Sequence, residues 1–167
     1  MKIKFQCSKC FRNYVETIDF VQVQDQELYR YTCSEGHENV YFQMNQKFEL
    51  LMESAIYAII DGYYREAVSS MTSSLERLQE YFIKVLFYEQ NIPEQTFNES
   101  WKLVSAQSER QLGAFVFLYT QKYRSAPDNL NSKQREFRND VIHKGKFPTF
   151  EETIKYGQII LDITFIF

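Results

Sequence analysis

Arg138, Asn139 and His143 bring a permanent cation, an amide and a titratable imidazole onto one predicted helix. Imidazole is the side chain best suited to move protons near neutral pH. Guanidinium is the best partner for a phosphate, because its planar fork binds two oxygens at once. Together they suit cleavage of RNA by its own 2′-hydroxyl. His143 would take or give the proton, and Arg138 would neutralise the charge that builds on the phosphorus oxygens. Such chemistry requires no catalytic metal, and DNA, which lacks the 2′-hydroxyl, would survive it. Spacing adds a condition. Five residues apart, Arg138 and His143 point roughly 140° away from each other around an ideal helix. Either His143 sits in a frayed last turn before Gly145, or a second copy of the helix completes the site, as a two-fold dimer allows. The plainer alternative is structural. His143 would then cap a helix C-terminus, where a cation is favoured, and Arg138 would pair with Asp140 or Glu136.

A second set of reactive residues lies near the start. Cys7-Ser-Lys-Cys10 and Cys33-Ser-Glu-Gly-His37 are two chelating pairs, and they hold every Cys and one of the two His. An odd number of Cys argues against a disulfide framework and for a metal site. Thiolate and imidazole are the ligands that zinc takes in structural sites. Two knuckles on tight turns between strands would set four donors around one ion, with no open position for a reaction. The alternative is a set of reduced thiols. The pattern resembles the zinc ribbon, with His37 in place of the usual fourth Cys.

The segment Phe137-Arg138-Asn139-Asp140-Val141-Ile142-His143-Lys144-Gly145 resembles the signature of the HEPN family: Arg, then a polar residue, then His. The likeness extends to Pro148, to Glu151-Glu152 with Tyr156, and upstream to Asp61-Gly-Tyr-Tyr-Arg-Glu-Ala67 and Ser73-Ser-Leu-Glu76. It covers most of Lys47 to Phe167 and leaves the cysteine-bearing part outside. The resemblance implies an up-and-down helical bundle and a homodimer with the motif at its interface. It also implies a metal-independent endoribonuclease that leaves 2′,3′-cyclic phosphate ends. Many members are toxins or phage-defence effectors; others keep the fold without known cleavage and serve dimerisation or nucleotide binding. The implied catalytic residues are Arg138, Asn139 and His143, with Glu76 and Lys144 in support. Glu76 would equally serve as a helix-packing partner. The implied partners are RNA and an antitoxin or defence-complex subunit.

Those side chains need elements to hold them. Lys2–Phe5, Tyr14–Ile18, Glu27–Tyr31 and Asn39–Phe42 read as short strands, with turns at Ser8-Lys9, Gln24–Gln26 and Ser34–Gly36. After Lys47 the period becomes helical. Phe48, Leu51, Met52, Ala55, Ile56 and Ile59 form one apolar stripe that ends near Gly62. A long helix over Tyr63–Gln90 carries Ala67, Met71, Leu75, Leu78, Phe82, Val85 and Leu86. Pro93 suits the first turn of a third helix, which carries Phe97, Trp101 and Val104. Gln111–Tyr123 continues as a very apolar segment that Asn129–Ser132 breaks, and a helix over Lys133–His143 follows, which makes five or six helices in all. Thr149 with Glu152 predicts a capping box at the last. The fold class expected is α+β, mainly α: an antiparallel β zinc ribbon over 1–44 and a helical bundle over 45–167.

Composition narrows the classes. With 44% hydrophobic residues, 12 Tyr and 15 Phe, the chain can bury a real core. A net charge of -3 does not mark a nucleic-acid binder, so any such binding needs a local patch. Lys122, Arg124, Lys133, Arg135, Arg138, Lys144 and Lys146 outnumber Asp128, Glu136 and Asp140 and supply one, unless they are an ordinary solvated face. No concentrated basic helix suits groove binding, which disfavours a transcription regulator. Met1–Lys4 leads into no apolar signal segment, and Ile159–Phe167 is too short to span a bilayer, so a cytoplasmic protein is expected.

Overall fold

The computed structural model describes residues 2–15 and 19–164. The fold is α+β and mainly α, with four short strands and seven helices among those residues. The chain divides into two compact units, Met1–Asn45 and Gln46–Phe167.

The first unit holds two antiparallel hairpins. Strand β1 (Lys2–Phe5) pairs with β2 (Asp19–Gln22). Strand β3 (Leu28–Thr32) pairs with β4 (Glu38–Phe42), in a register that sets Tyr29 opposite Tyr41. Between β1 and β2 lies a short helix, α1 (Ser8–Arg12), where a simple turn is expected. The expected strand over Tyr14–Ile18 does not form over its first two residues. Tyr14 takes a left-handed backbone (φ 58) that closes α1, and pairing starts only at Asp19; residues 16–18 lie outside the described residues. The core is aromatic. Phe5 is buried, with ring centroids 4.1 Å from Tyr41, 5.1 Å from Tyr31 and 5.7 Å from Tyr29. Such pairs add to the area they bury. The buried Tyr29 hydroxyl donates to the Gln24 carbonyl at 2.8 Å, so its polar tip is satisfied.

The second unit has six described helices: α2 (Lys47–Ile60), α3 (Tyr64–Glu89), α4 (Glu94–Val104), α5 (Ser108–Tyr123), α6 (Ser132–His143) and α7 (Phe150–Thr164). Gly62 ends α2 at φ +79, a conformation glycine takes without strain, and its N–H closes on the Ile59 carbonyl at 3.1 Å. The 26-residue α3 is the axis, and α2, α5, α6 and α7 pack against it. One core joins Ala55, Val68, Met71 and Leu75 to Val141, Tyr156 and Ile160. The other centres on Ile83, Phe97, Phe115 and Tyr119. On α3 the buried face runs through Ile83, while Val85, part of the expected stripe, is 36% exposed. Ile56 on α2 is likewise exposed. At Gly157 of α7 an added Cβ would stand 2.9 Å from the Met71 Cε, so the missing side chain is what lets α7 approach α3.

Candidate functional site

In the first unit the fold gathers both chelating pairs. Cys7 opens α1 and Cys10 lies within it, tied by the Phe11 N–H to the Cys7 carbonyl at 2.9 Å. Cys33 and His37 flank the β3–β4 turn. The Cys33 N–H reaches the His37 carbonyl at 3.0 Å, and Gly36, at φ +81, supplies the tight bend between them. The Cys10 Sγ stands 3.3 Å from the His37 Nδ1 and 3.8 Å from the Cys33 Sγ. Cys7 and Cys33 are each 3.7 Å from the same nitrogen. All four donor atoms lie within 4.8 Å of one another, the three cysteines are buried and no disulfide joins them. Four donors about 2.3 Å from one ion at tetrahedral angles stand about 3.7 Å apart, so this set fits a metal ion in size and chemistry.

Neighbours tune the cluster. Burial pushes the Cys7 thiol up, but hydrogen bonds from the Cys10 and Lys9 backbone and from the Asn39 and Cys10 side chains outweigh it, lowering it from 9.0 to about 6. The thiolate is the form that binds metal. The Asn39 Nδ2 also donates to the His37 carbonyl at 2.8 Å. The Asp19 Oδ1 accepts the Ser34 N–H at 3.1 Å and so braces the second knuckle. Tyr31 packs on the sulfurs, and its hydroxyl is raised by burial first and then by the Cys7 charge. Asp19 and Asn39 were invisible to spacing arguments, since neither belongs to a chelating pair.

In the second unit α6 positions the Arg-Asn-His segment. Asn131 and Gln134 form a reciprocal cap at its start: the Asn131 Oδ1 accepts the Gln134 N–H at 3.0 Å, and the Gln134 Oε1 accepts the Asn131 N–H at 2.8 Å. Val141 is fully buried and the Phe137 ring packs, tilted, against Tyr156 with centroids 5.4 Å apart, which fixes the rotation of the helix. Arg138 is thereby turned towards α3. Its Nη2 lies 3.9 Å from the Glu76 Oε1, its Nη1 donates to the Asn139 Oδ1 at 3.1 Å, and its side chain is 22% exposed. The Nε is buried without a hydrogen-bond partner among the described residues. Next to it the Tyr156 hydroxyl, 3.0 Å from Thr72, is raised by burial, while the Arg138 charge pulls it down and Glu76 pushes it up.

A groove of about 290 Å³ opens here, lined in part by Glu76, Gln79, Arg135, Arg138 and Asn139. Three of the expected site residues, Arg138, Asn139 and Glu76, therefore meet. His143 does not join them: it is exposed at the end of α6, and its imidazole has no partner among the described residues. Lys144 turns to Asp140 at 2.8 Å. The pairing of Arg138 with Asp140 or Glu136 does not occur; Glu76 takes that place. Much of the basic patch is neutralised, with Lys122 held 2.5 Å from Glu89 and Lys146 2.7 Å from Glu152.

Comparison of the chain with protein-family models, with curated proteins and with solved structures gave no match. Among the described residues no helix is long and apolar enough to cross a membrane. Fold and sites define a mainly helical protein with a Cys₃His cluster on its β unit and an Arg–Glu pair at a groove of its helical unit.

Proposed function

We propose that the chain is a metal-independent endoribonuclease of the HEPN type, active as a homodimer in which the Arg138 and His143 of two copies meet. One observation carries this reading. Arg138 is fixed at a groove by Glu76 and Asn139, while His143 stands free at the end of the same helix. A fixed cation suits phosphate binding, and an open imidazole suits proton transfer. Their divergence around α6 is what makes a second copy necessary.

The test is incubation of the purified chain with total RNA in EDTA and, in parallel, in magnesium. Fragments ending in 2′,3′-cyclic phosphate under both conditions are expected, and His143→Ala should abolish them. Cleavage that survives His143→Ala would sink the assignment.

The Cys₃His cluster is proposed to hold one structural zinc ion through Cys7, Cys10, Cys33 and His37, since its four protein donors leave no open position. The zinc-bearing unit would position RNA or a partner. The biological role proposed is a cytoplasmic toxin or phage-defence effector, held in check by an antitoxin or defence-complex subunit. One observation favours a second reading, a non-catalytic dimerisation or RNA-binding module. Arg138 is already engaged by Glu76 and Asn139, as a purely structural arginine would be. Silence across many RNAs would select it.

A further inference from the structure

The first knuckle presents more than metal donors. From Lys9 to Tyr14 only Cys10 turns inward; Lys9, Phe11, Arg12, Asn13 and Tyr14 are all exposed. Phe11 is 65% and Tyr14 98% exposed, so neither ring gains much from packing within the chain. The buried Cys10 fixes the rotation of α1, and the Phe11 and Val15 N–H groups tie the turn to the Cys7 and Cys10 carbonyls at 2.9 Å each. The Tyr14 N–H donates to the Phe11 carbonyl at 3.1 Å, which holds the two residues together on one braced turn. Tyr14 also keeps a left-handed backbone (φ 58) that a bulky residue rarely takes and that Asn or Gly adopts more easily. Charge points the same way. Residues 2–15 hold Lys2, Lys4, Lys9 and Arg12 and no carboxylate, although the whole chain stands at -3. The acids of the unit begin at Glu16 and fall on its later segments. On the first hairpin a further exposed ring, Phe20, lies opposite Lys4. Exposed rings interleaved with cations suit a single nucleic-acid strand, whose bases stack on the rings while the cations follow its phosphates. A duplex hides its base faces and offers the phosphates alone.

We infer that the exposed face of the first knuckle binds single-stranded RNA, with Phe11 and Tyr14 stacking on bases and Lys9 and Arg12 contacting phosphates. It gives the proposed ribonuclease a strand-holding surface. The inference rests on that reading for its use, and on the rings and the local charge for its chemistry. Stacking tolerates every base, so the face holds a strand without selecting its sequence.

The probe is a fluorescent, mixed-sequence RNA octamer methylated at every 2′-oxygen, which cannot be cleaved through that oxygen. Its binding to the full chain is read by fluorescence anisotropy across a salt series. Phe11→Ala and Tyr14→Asn should each weaken binding by about tenfold, the size of one lost base stack, while Tyr14→Trp keeps the affinity. Asn suits the left-handed backbone at Tyr14, and thiol reactivity equal to wild type shows that the unit is intact. Lys9→Gln and Arg12→Gln, both at exposed positions, should each flatten the slope of log affinity against log salt by about 0.7, the share of one phosphate contact on a single strand. An affinity unchanged by Phe11→Ala and Tyr14→Asn overturns the inference. So does a duplex, a DNA octamer or a polyglutamate peptide that binds more tightly than the RNA octamer. Binding to anionic phospholipid vesicles with none to the octamer overturns it in favour of a membrane surface. The surface and the nuclease fail separately. RNA cleavage alongside octamer binding that ignores both rings removes the surface and leaves the nuclease. Ring-dependent octamer binding without any cleavage of total RNA leaves the surface and removes the nuclease.

Discussion

Arg138 and His143 belong to the same motif but are bound to the fold very differently. His143 is exposed and its ring touches no partner among the described residues. Replacing it with Ala should therefore shift stability by no more than about 0.5 kcal/mol, the ordinary range for a surface change. Arg138 has a half-buried stem and holds Glu76. Arg138→Ala should cost about 1 kcal/mol through lost packing and a carboxylate left without its partner. Urea unfolding of the two variants checks both, and equal losses would contradict the placement of the two side chains. It follows that His143→Ala is the cleaner probe of activity. The sequence shows the residue types and the divergence of the pair, because both follow from helix geometry. It does not show that Glu76 meets Arg138, since that contact depends on how α3 and α6 pack. Gln79 is harder still. A glutamine on a long helix reads as a solvated side chain, and only packing reveals that it is buried.

Among the elements, the longer helices and strands β1, β3 and β4 were legible, whereas α1 and β2 were not. The Thr149–Glu152 capping box is present as expected: the Glu152 N–H donates to the Thr149 Oγ1 at 3.2 Å, and the Thr149 N–H donates to the Glu152 carboxylate at 2.9 Å. Thr149→Ala should cost about 0.5–2 kcal/mol, measured by thermal or urea unfolding. Glu152 adds a pH signature. Its carboxyl is held below its ordinary 4.5, first by Lys146 and then by the Thr149 backbone. A carboxyl depressed by folding stabilises the native state above its unfolded pKa, and that stability is lost as pH falls through the folded value. The gap between wild type and Glu152→Gln should thus be full at neutral pH and close below about pH 4.5. A gap that widens in acid would reverse the assignment. Strand β2 escaped the periodicity because its burial runs against its hydrophobicity: Phe20 points outward at 62% exposure while Asp19 is half-buried and braces Ser34. Helix α1 escaped because five residues give too few turns for a period to show.

At the scale of the whole molecule, the first unit leans on its Cys₃His cluster and the second on two apolar cores. Stripping metal with a strong chelator should therefore melt the strands and expose three reactive thiols while the helical circular dichroism persists; thiols that stay unreactive would refute the metal's structural role. The dimer can be tested more sharply. If each site combines Arg138 of one copy with His143 of the other, two dead variants should rescue each other. A dimer of one Arg138→Ala chain and one His143→Ala chain contains one site with both changes and one with neither. Random mixing makes half the dimers mixed, so about one quarter of the wild-type RNA cleavage should return. If both residues of a site come from one chain, every site in the mixed dimer lacks a residue and no cleavage returns. The two architectures thus differ between a quarter and nothing in a single assay. Co-expression with two distinct affinity tags isolates the mixed dimer alone, in which half the wild-type rate is expected. A mixed dimer recovered intact and inactive would place each site within one chain, and the divergence of Arg138 and His143 around α6 would then need His143 to swing back over the end of its own helix.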